Sequence, residues 1–345
     1  MPPYSAPRAT AALTPALLVM GDYANERCGV GSSDCLVVEG REDAVTILDP
    51  VVMSRSDLVA AVRARPDAAG VVLVHPTLSQ VGRADLVPKA LHLRRALGRR
   101  WIRVHLHEFD RLDRRQRAAV TLVLGLAADR IVVSSPQEAE ALRRHHRGFA
   151  ARRAEVVVVP PANGSAPTQA AVERAIEAAS TADGRTVGVH GQYRPDKGID
   201  WLLATLARLD RRFERLEIAG RGWAAAPWPR SLLDRYDLVD LGQVPREDLP
   251  VTIGRWGLAL APFDGPPTDG RLSLRTPLAL GVPTLTRGPR PGGLRLGSAL
   301  LHFDDEVSVG ALPTPTTAER RDAAASVAEL ELAVRAELAE ALFGP

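Results

Sequence analysis

The sequence predicts an α/β protein made of two doubly wound parallel sheets, and three observations carry that expectation. Short apolar runs alternate with longer segments whose apolar residues recur at helical spacing. The runs lack inside/outside alternation, as strands covered on both faces do. The alternation stops at Pro160, Pro161, Asn163, Gly164 and Pro167 and restarts after Gly184. A chain of 345 residues is too long for one ordinary core, and 46% hydrophobic residues suffice to fill two.

The first half offers strands at 16–20, 44–48, 70–75, 101–106, 130–134 and 155–159. Between them lie helical patterns at 57–65, 83–97, 114–128 and 136–146. A helix over 168–179 bridges the break. The second half offers strands at 186–190, 216–219, 239–242, 258–262, 284–286 and 300–303. Its helices are expected at 199–209, 229–236, 247–256, 273–280 and 316–342. The expected division is a first domain over 1–164, a linker over 165–184, a second domain over 185–315 and a C-terminal helix over 316–345. Packing of that helix back onto the first domain is one option. Doubly wound sheets bind ligands at the carboxyl ends of their strands, so two facing sheets are expected to make a cleft.

Composition excludes several classes. Net charge is +3, with no zinc-ligand spacing and no basic run interleaved with aromatics, so no nucleic-acid partner is expected. Two cysteines, Cys28 and Cys35, do not make a disulfide framework. No apolar run approaches the roughly 20 residues of a membrane span. A cytoplasmic protein is expected, with the inner membrane face as an option. Only Lys89 and Lys197 are lysines among 44 basic residues. Coding bias accounts for the arginines, and a lysine that survives it marks a place needing a compact ammonium.

Lys197 lies in the most informative segment, 190–203. A strand ends at Gly191, a short loop carries Arg194 and Lys197, and a helix begins near Gly198. Backbone N–H groups, a helix N-terminus and two cations converge there, as a diphosphate requires. Taken alone, the segment reads equally as a surface turn with ordinary charges. It lacks the P-loop pattern of an ATPase.

The following segments repeat a strand-and-turn grammar. Leu216 to Ala219 runs into Gly220-Arg221-Gly222. Val239 to Gly242 runs into Gln243-Val244-Pro245. Leu258 to Phe263 enters a Gly/Pro/Asp loop, and Gly281-Val282-Pro283 leads a helix into a strand. In this order the segments resemble the donor domain of GT-B glycosyltransferases, in particular the retaining family called GT4. The resemblance covers about 185–304 and implies two Rossmann-like domains facing across a cleft. It implies that Lys197 and Arg194 serve the diphosphate and that Gly191, Gly220 and Gly222 let backbone approach the nucleotide. It implies that Gln243 and Val244 border the base. The loop 264–275 would hold the donor sugar and phosphates, with Asp264, Asp269, Ser273 and Arg275 as candidates. One departure is plain: the family's paired glutamates fall at Thr268 and Thr276.

The resemblance reaches the first half as well. Gly29 and Gly31 match a glycine loop that touches the donor phosphates. His107 and Glu108 match a pair at the end of the fourth strand, with His107 near the reacting sugar. His75, at another strand end, and Glu108 are candidates for the acceptor side. A strand-end histidine is more often structural than catalytic, and His105, on the same strand face as His107, is expected to be buried. Arginine-rich helix ends at 94–100 and 143–153 read as solvated, with weak peripheral membrane contact as an alternative.

The implied activity is transfer of a sugar from a nucleoside-diphosphate sugar to a glycan, lipid-linked or small-molecule acceptor, with retention. No cofactor and no metal are expected. The alternatives are a GT-B-like epimerase, a pseudo-glycosyltransferase and a non-catalytic nucleotide-sugar-binding subunit.

Overall fold

The computed structural model describes residues 15–20, 37–38, 45–48, 53–75, 86–106, 109, 113–145, 154–162, 167–194, 197–292, 294–309, 312 and 314–344. The chain forms two compact units, residues 1–164 with 333–345 and residues 165–332.

The first unit holds β1 (Ala16–Met20), β2 (Val45–Leu48), β3 (Gly70–His75), β4 (Trp101–Leu106), β5 (Arg130–Val133) and β6 (Glu155–Val158). They form one parallel sheet in the order β2-β1-β3-β4-β5-β6. Its helices are α1 (Arg55–Ala64), α2 (Leu86–Leu97), α3 (Arg114–Ala127) and α4 (Pro136–His145). Ile102, Val104 and Leu106 of β4 and Ile131 and Val133 of β5 share a buried cluster with Leu93, Val120 and Leu142 from the helices. Burying each such side chain contributes about 1.5–3 kcal/mol, which fixes the helices on the sheet.

The second unit begins with α5 (Gln169–Thr181) and holds β7 (Thr186–His190), β8 (Arg215–Ala219), β9 (Asp237–Gly242), β10 (Leu258–Ala261), β11 (Thr284–Thr286) and β12 (Leu301–Phe303). The sheet is parallel in the order β12-β11-β10-β7-β8-β9. The helices that follow are α6 (Ile199–Arg208), α7 (Arg230–Leu233), α8 (Leu249–Gly254), α9 (Leu272–Ala279) and α10 (Thr317–Phe343), whose residues from Ala333 onward belong to the first unit. On one face Val187, Val189, Ile218 and Leu260 pack with Leu202, Leu206 and Trp223. On the other, Ala219 and Ala259 pack with Ala175 of α5 and with Ile253 and Trp256. The residues expected as a linker helix therefore belong to this second layer.

All twelve expected strands are present, within about two residues at each end. Two helices are shorter than their sequence patterns. The segment expected at 229–236 is helical only over Arg230–Leu233, with Pro229 as its N-cap. The one expected at 247–256 starts at Leu249, with Pro250 in its first turn, where a missing N–H costs nothing. A 3₁₀ turn at Trp223–Ala225 was not anticipated. It follows Gly222, whose left-handed backbone (φ 83°) sits in a Gly-Trp-Ala run without helical periodicity.

Candidate functional site

The second sheet reverses direction at β7. Its successor β8 lies on one side and β10 on the other. At such a switch point the loops leaving the carboxyl ends diverge to opposite faces and open a crevice, where doubly wound sheets take their ligands. The loops after β7 and β10 carry the segments singled out in the sequence.

Gly191 follows β7 with φ 104°, a conformation favouring glycine. A methyl group built there would lie 2.8 Å from Lys197 Nζ and 3.2 Å from Ser273 Cβ. The ammonium of Lys197, a residue 9% exposed, and the Ser273 side chain therefore meet above a bare Cα. Lys197 Nζ also donates to the His190 carbonyl at 3.4 Å. Gly198 is the N-cap of α6 in a left-handed conformation, with no side-chain cap. A Cβ at Gly198 would meet the Phe263 backbone after β10 at 2.5 Å, so the start of α6 lies directly against the β10 loop. Ser273 belongs to the first turn of α9, which also starts without a side-chain cap. Two helix N-termini, the ammonium and a hydroxyl thus gather at one strand end.

The glycine-loop amides were expected to face the ligand, and three of them are engaged elsewhere. Gly191 N–H donates to the Ala219 carbonyl, Tyr193 N–H to Arg221 and Lys197 N–H to Arg194, at 2.8–3.0 Å. The loop uses them to hold its own shape. Positive potential at this edge comes from the side chains and the helix starts.

Gly220 follows β8 just past a register shift between Ile218 and Ala219. A Cβ there would lie 2.0 Å from the Gly191 carbonyl oxygen, so the two strand-end loops touch through backbone alone. Trp223 Nε1 donates to that same oxygen at 2.7 Å. Gly222 is exposed and faces Tyr193. Arg194 is half-buried, Gln243 is exposed and Val244 is half-buried against the Ile253–Trp256 cluster.

The loop after β10 is built around two buried charges. The Asp269 carboxylate accepts backbone N–H groups of Arg295 and Leu296 at 3.0–3.1 Å. Arg275 is fully buried, donating to the Asp269 carbonyl at 2.8 Å and through Nε to Glu331 of α10 at 2.7 Å, with Nη2 in ion-pair contact with the same carboxylate. Asp264 is exposed, Thr268 half-buried and Thr276 buried. Ser273, rather than Asp269 or Arg275, stands beside Lys197.

Sequence reasoning overlooked His190 as a site residue. Burial first, then the neighbouring Lys197 charge, pushes its imidazole down to about 4, against the opposing pull of the Ala219 carbonyl. Its Nδ1 is buried without a hydrogen-bond partner. The only sequence signal was its place two residues before Gln192 in the segment already chosen. The Tyr193–Trp223–Trp228 ring series was also overlooked, because nothing in spacing ties a tryptophan to a glycine carbonyl 32 residues earlier.

In the first unit, Gly29, Gly31, His107 and Glu108 lie outside the described residues. His75 ends β3, and its side chain lies outside them too. His105 is buried within β4 between β3 and β5, as expected. Among the described residues no cluster of His, Cys, Asp and Glu has the makings of a metal site, and no helix is long and apolar enough to cross a membrane.

No family model matches the chain, and no curated protein matches it in sequence. Solved structures match it in fold. HepE from Anabaena, in complex with UDP and glucose, aligns with 96% of this chain and 95% of its own at 15% identity and a TM-score of 0.55. Sucrose-phosphate synthase from Thermosynechococcus elongatus aligns with 96% and 95% at 14% identity and a TM-score of 0.54. An α-glucosyltransferase in complex with UDP and a 13-mer DNA aligns with 95% and 95% at 11% identity and a TM-score of 0.51. The fold is that of GT-B glycosyltransferases, with two Rossmann-like parallel-sheet domains.

Proposed function

We propose that the chain is a glycosyltransferase that moves a sugar from a nucleoside-diphosphate sugar to an acceptor, with retention of anomeric configuration. The observation that carries this reading is the meeting of Lys197, Ser273 and the uncapped starts of α6 and α9 above Gly191, at the switch point of the second sheet. A diphosphate leaving group gains negative charge as the glycosidic bond breaks. A buried ammonium and two helix N-termini stabilise that charge more than they stabilise the ground state. Arg194 adds a second cation from the same loop. Gly220 and Gly222 give the nucleotide close backbone approach, and Gln243 and Val244 border the base. Asp264 reaches sugar hydroxyls, whereas Asp269 and Arg275 hold the loop that presents Ser273. The resemblance assigns Gly29 and Gly31 to the donor phosphates. His107 orients the sugar, and His75 and Glu108 serve the acceptor. The departing phosphate oxygen takes the acceptor proton as the new glycosidic bond forms.

A second reading keeps donor binding without turnover. It is favoured by threonines at 268 and 276, where the resembling family has paired glutamates.

Calorimetric titration with UDP, GDP, ADP and TDP tests the site. UDP comes first, because HepE was solved with UDP and with UDP-glucose. One of the four should bind, and Lys197→Ala should weaken it about tenfold to a hundredfold, the range of a charge-assisted contact. An unchanged affinity in that variant sinks the assignment. Release of free nucleoside diphosphate together with a glycosylated product separates transfer from binding alone.

A further inference from the structure

We propose that Trp223 is a positioning residue for this anion site: its indole N–H keeps the Gly191 carbonyl turned away from the bound diphosphate. The inference rests on the diphosphate reading above and deepens it. Gly191 carries the Lys197 ammonium on the side that a side chain would fill. The ammonium already donates to the His190 carbonyl at 3.4 Å, and the Gly191 carbonyl is the next backbone acceptor along the loop. With no Cβ, the peptide after Gly191 meets little steric resistance to rotation. Rotation toward the ammonium would aim the oxygen at the phosphates.

Two contacts hold it the other way. The oxygen lies against the bare Cα of Gly220, where a Cβ would come within 2.0 Å. On the same side Trp223 Nε1 donates to it at 2.7 Å. Trp223 is 1% exposed, and a buried indole N–H requires an acceptor. Tyr193 packs beside the ring at 5.3 Å between centroids, and Trp228 stacks on it at 6.0 Å and 26°. Trp228 Nε1 in turn donates to the Trp223 carbonyl at 3.3 Å. Gly191 N–H to Ala219 and Tyr193 N–H to Arg221 already tie the segment to β8 and its loop, and Trp223 adds the one side-chain hydrogen bond that directs the Gly191 carbonyl itself.

A misdirected carbonyl repels a ligand in proportion to the ligand's charge. Truncating a merely structural ring would weaken every ligand alike. Trp223→Phe keeps a ring and deletes the N–H. It should weaken the nucleoside diphosphate about fivefold to tenfold, the corresponding monophosphate less, and the free nucleoside not at all. Trp228→Phe, which removes comparable ring area without touching Gly191, should show no such grading. Benzothienylalanine placed at position 223 keeps the bicyclic shape and replaces N–H by sulfur, so it tests the hydrogen bond even if the phenylalanine variant fails to fold. An ungraded loss, an unchanged affinity, or the same grading in Trp228→Phe overturns the proposal. If Lys197→Ala still destroys binding in that case, only the role of Trp223 falls. If the wild-type protein binds none of UDP, GDP, ADP and TDP, the diphosphate reading falls, and this inference with it.

Discussion

The starts of α1 and α6 are built on opposite principles. Helix α1 opens with a reciprocal box in which Ser54 Oγ accepts from Asp57 N–H at 3.2 Å and Asp57 accepts from Ser54 N–H at 3.0 Å. Helices α3, α4, α5 and α10 also begin with a side-chain acceptor, from Asp113, Ser135, Thr168 and Thr316. Helix α6 begins at Gly198 and α9 at Arg271, each with nothing of the kind. The first turn of a helix exposes N–H groups that need an acceptor. Where the chain supplies one, the helix start is finished as structure. Where it withholds one beside a buried ammonium, the start remains available to an anion. In this protein the two uncapped helices of eight or more residues whose caps are described converge on Gly191.

An uncapped start must be held by something else, and for α9 that is its buried interior. Arg275 ties the helix to Glu331 of α10 and to the carbonyl of Asp269 in the preceding loop. Removing one partner of a buried pair strands the other charge and typically costs about 3–5 kcal/mol. Glu331→Ala should lower the unfolding free energy by that amount, the largest effect expected here. The double replacement Arg275→Met with Glu331→Leu should recover most of it, since two apolar groups leave no stranded charge. If Glu331→Ala is neutral in a denaturant titration, α9 is held by other contacts, and the contrast with the capped helices loses its basis.

This division also explains what could be read in the sequence. Strands such as Leu258–Ala261 and helices such as Ile199–Arg208 declare themselves through local periodicity, because burial imposes the period directly. Lys197 and Gly191 were legible because a strand, a glycine and a cation before a helix form one short contiguous signal. The partners of Arg275 and Asp269 were not. Both lie in the loop and helix that the resemblance pointed to, and both side chains find partners that no spacing announces, Glu331 at 56 residues and the Arg295 amide at 26. A buried Arg and an exposed ligand-binding Arg look identical in sequence. Trp223 was hidden for the same reason: its role lies in the direction of one N–H.

His190 gives a second, smaller measure of how the site end of the sheet differs from the capped helix starts. Its imidazole is held neutral, with its titration moved from 6.5 down to about 4, chiefly by burial and then by Lys197. On acidification the unfolded chain takes up this proton before the folded chain does. The stabilising contribution is therefore complete above about pH 6.5 and is lost progressively toward pH 4, with a slope of at most about 1.4 kcal/mol per pH unit for one proton. His190→Gln should flatten stability against pH in this window. Parallel wild-type and variant curves between pH 6.5 and 4 would show that the ring is protonated freely in the folded protein.

The smallest effect belongs to the finished helix start. Ser54 donates its hydroxyl at 2.6 Å and its own amide at 3.0 Å to the Asp57 carboxylate, and these two bonds, the hydroxyl's first, hold that carboxyl below its usual range. Ser54→Ala removes the acceptor for one amide and the partner of the carboxylate, and the cost should be about 1 kcal/mol, the ordinary value of a serine cap. Nucleotide binding should not respond, because nothing in this box belongs to the second unit. Because Asp57 is ionised more readily in the folded chain, the stabilisation it adds is present above the usual carboxylate range and fades as pH falls below it. A loss of diphosphate affinity in Ser54→Ala, at a temperature where the variant is fully folded, would mean that helix starts in the two units are coupled, and the distinction between closed and open caps would no longer separate structure from site.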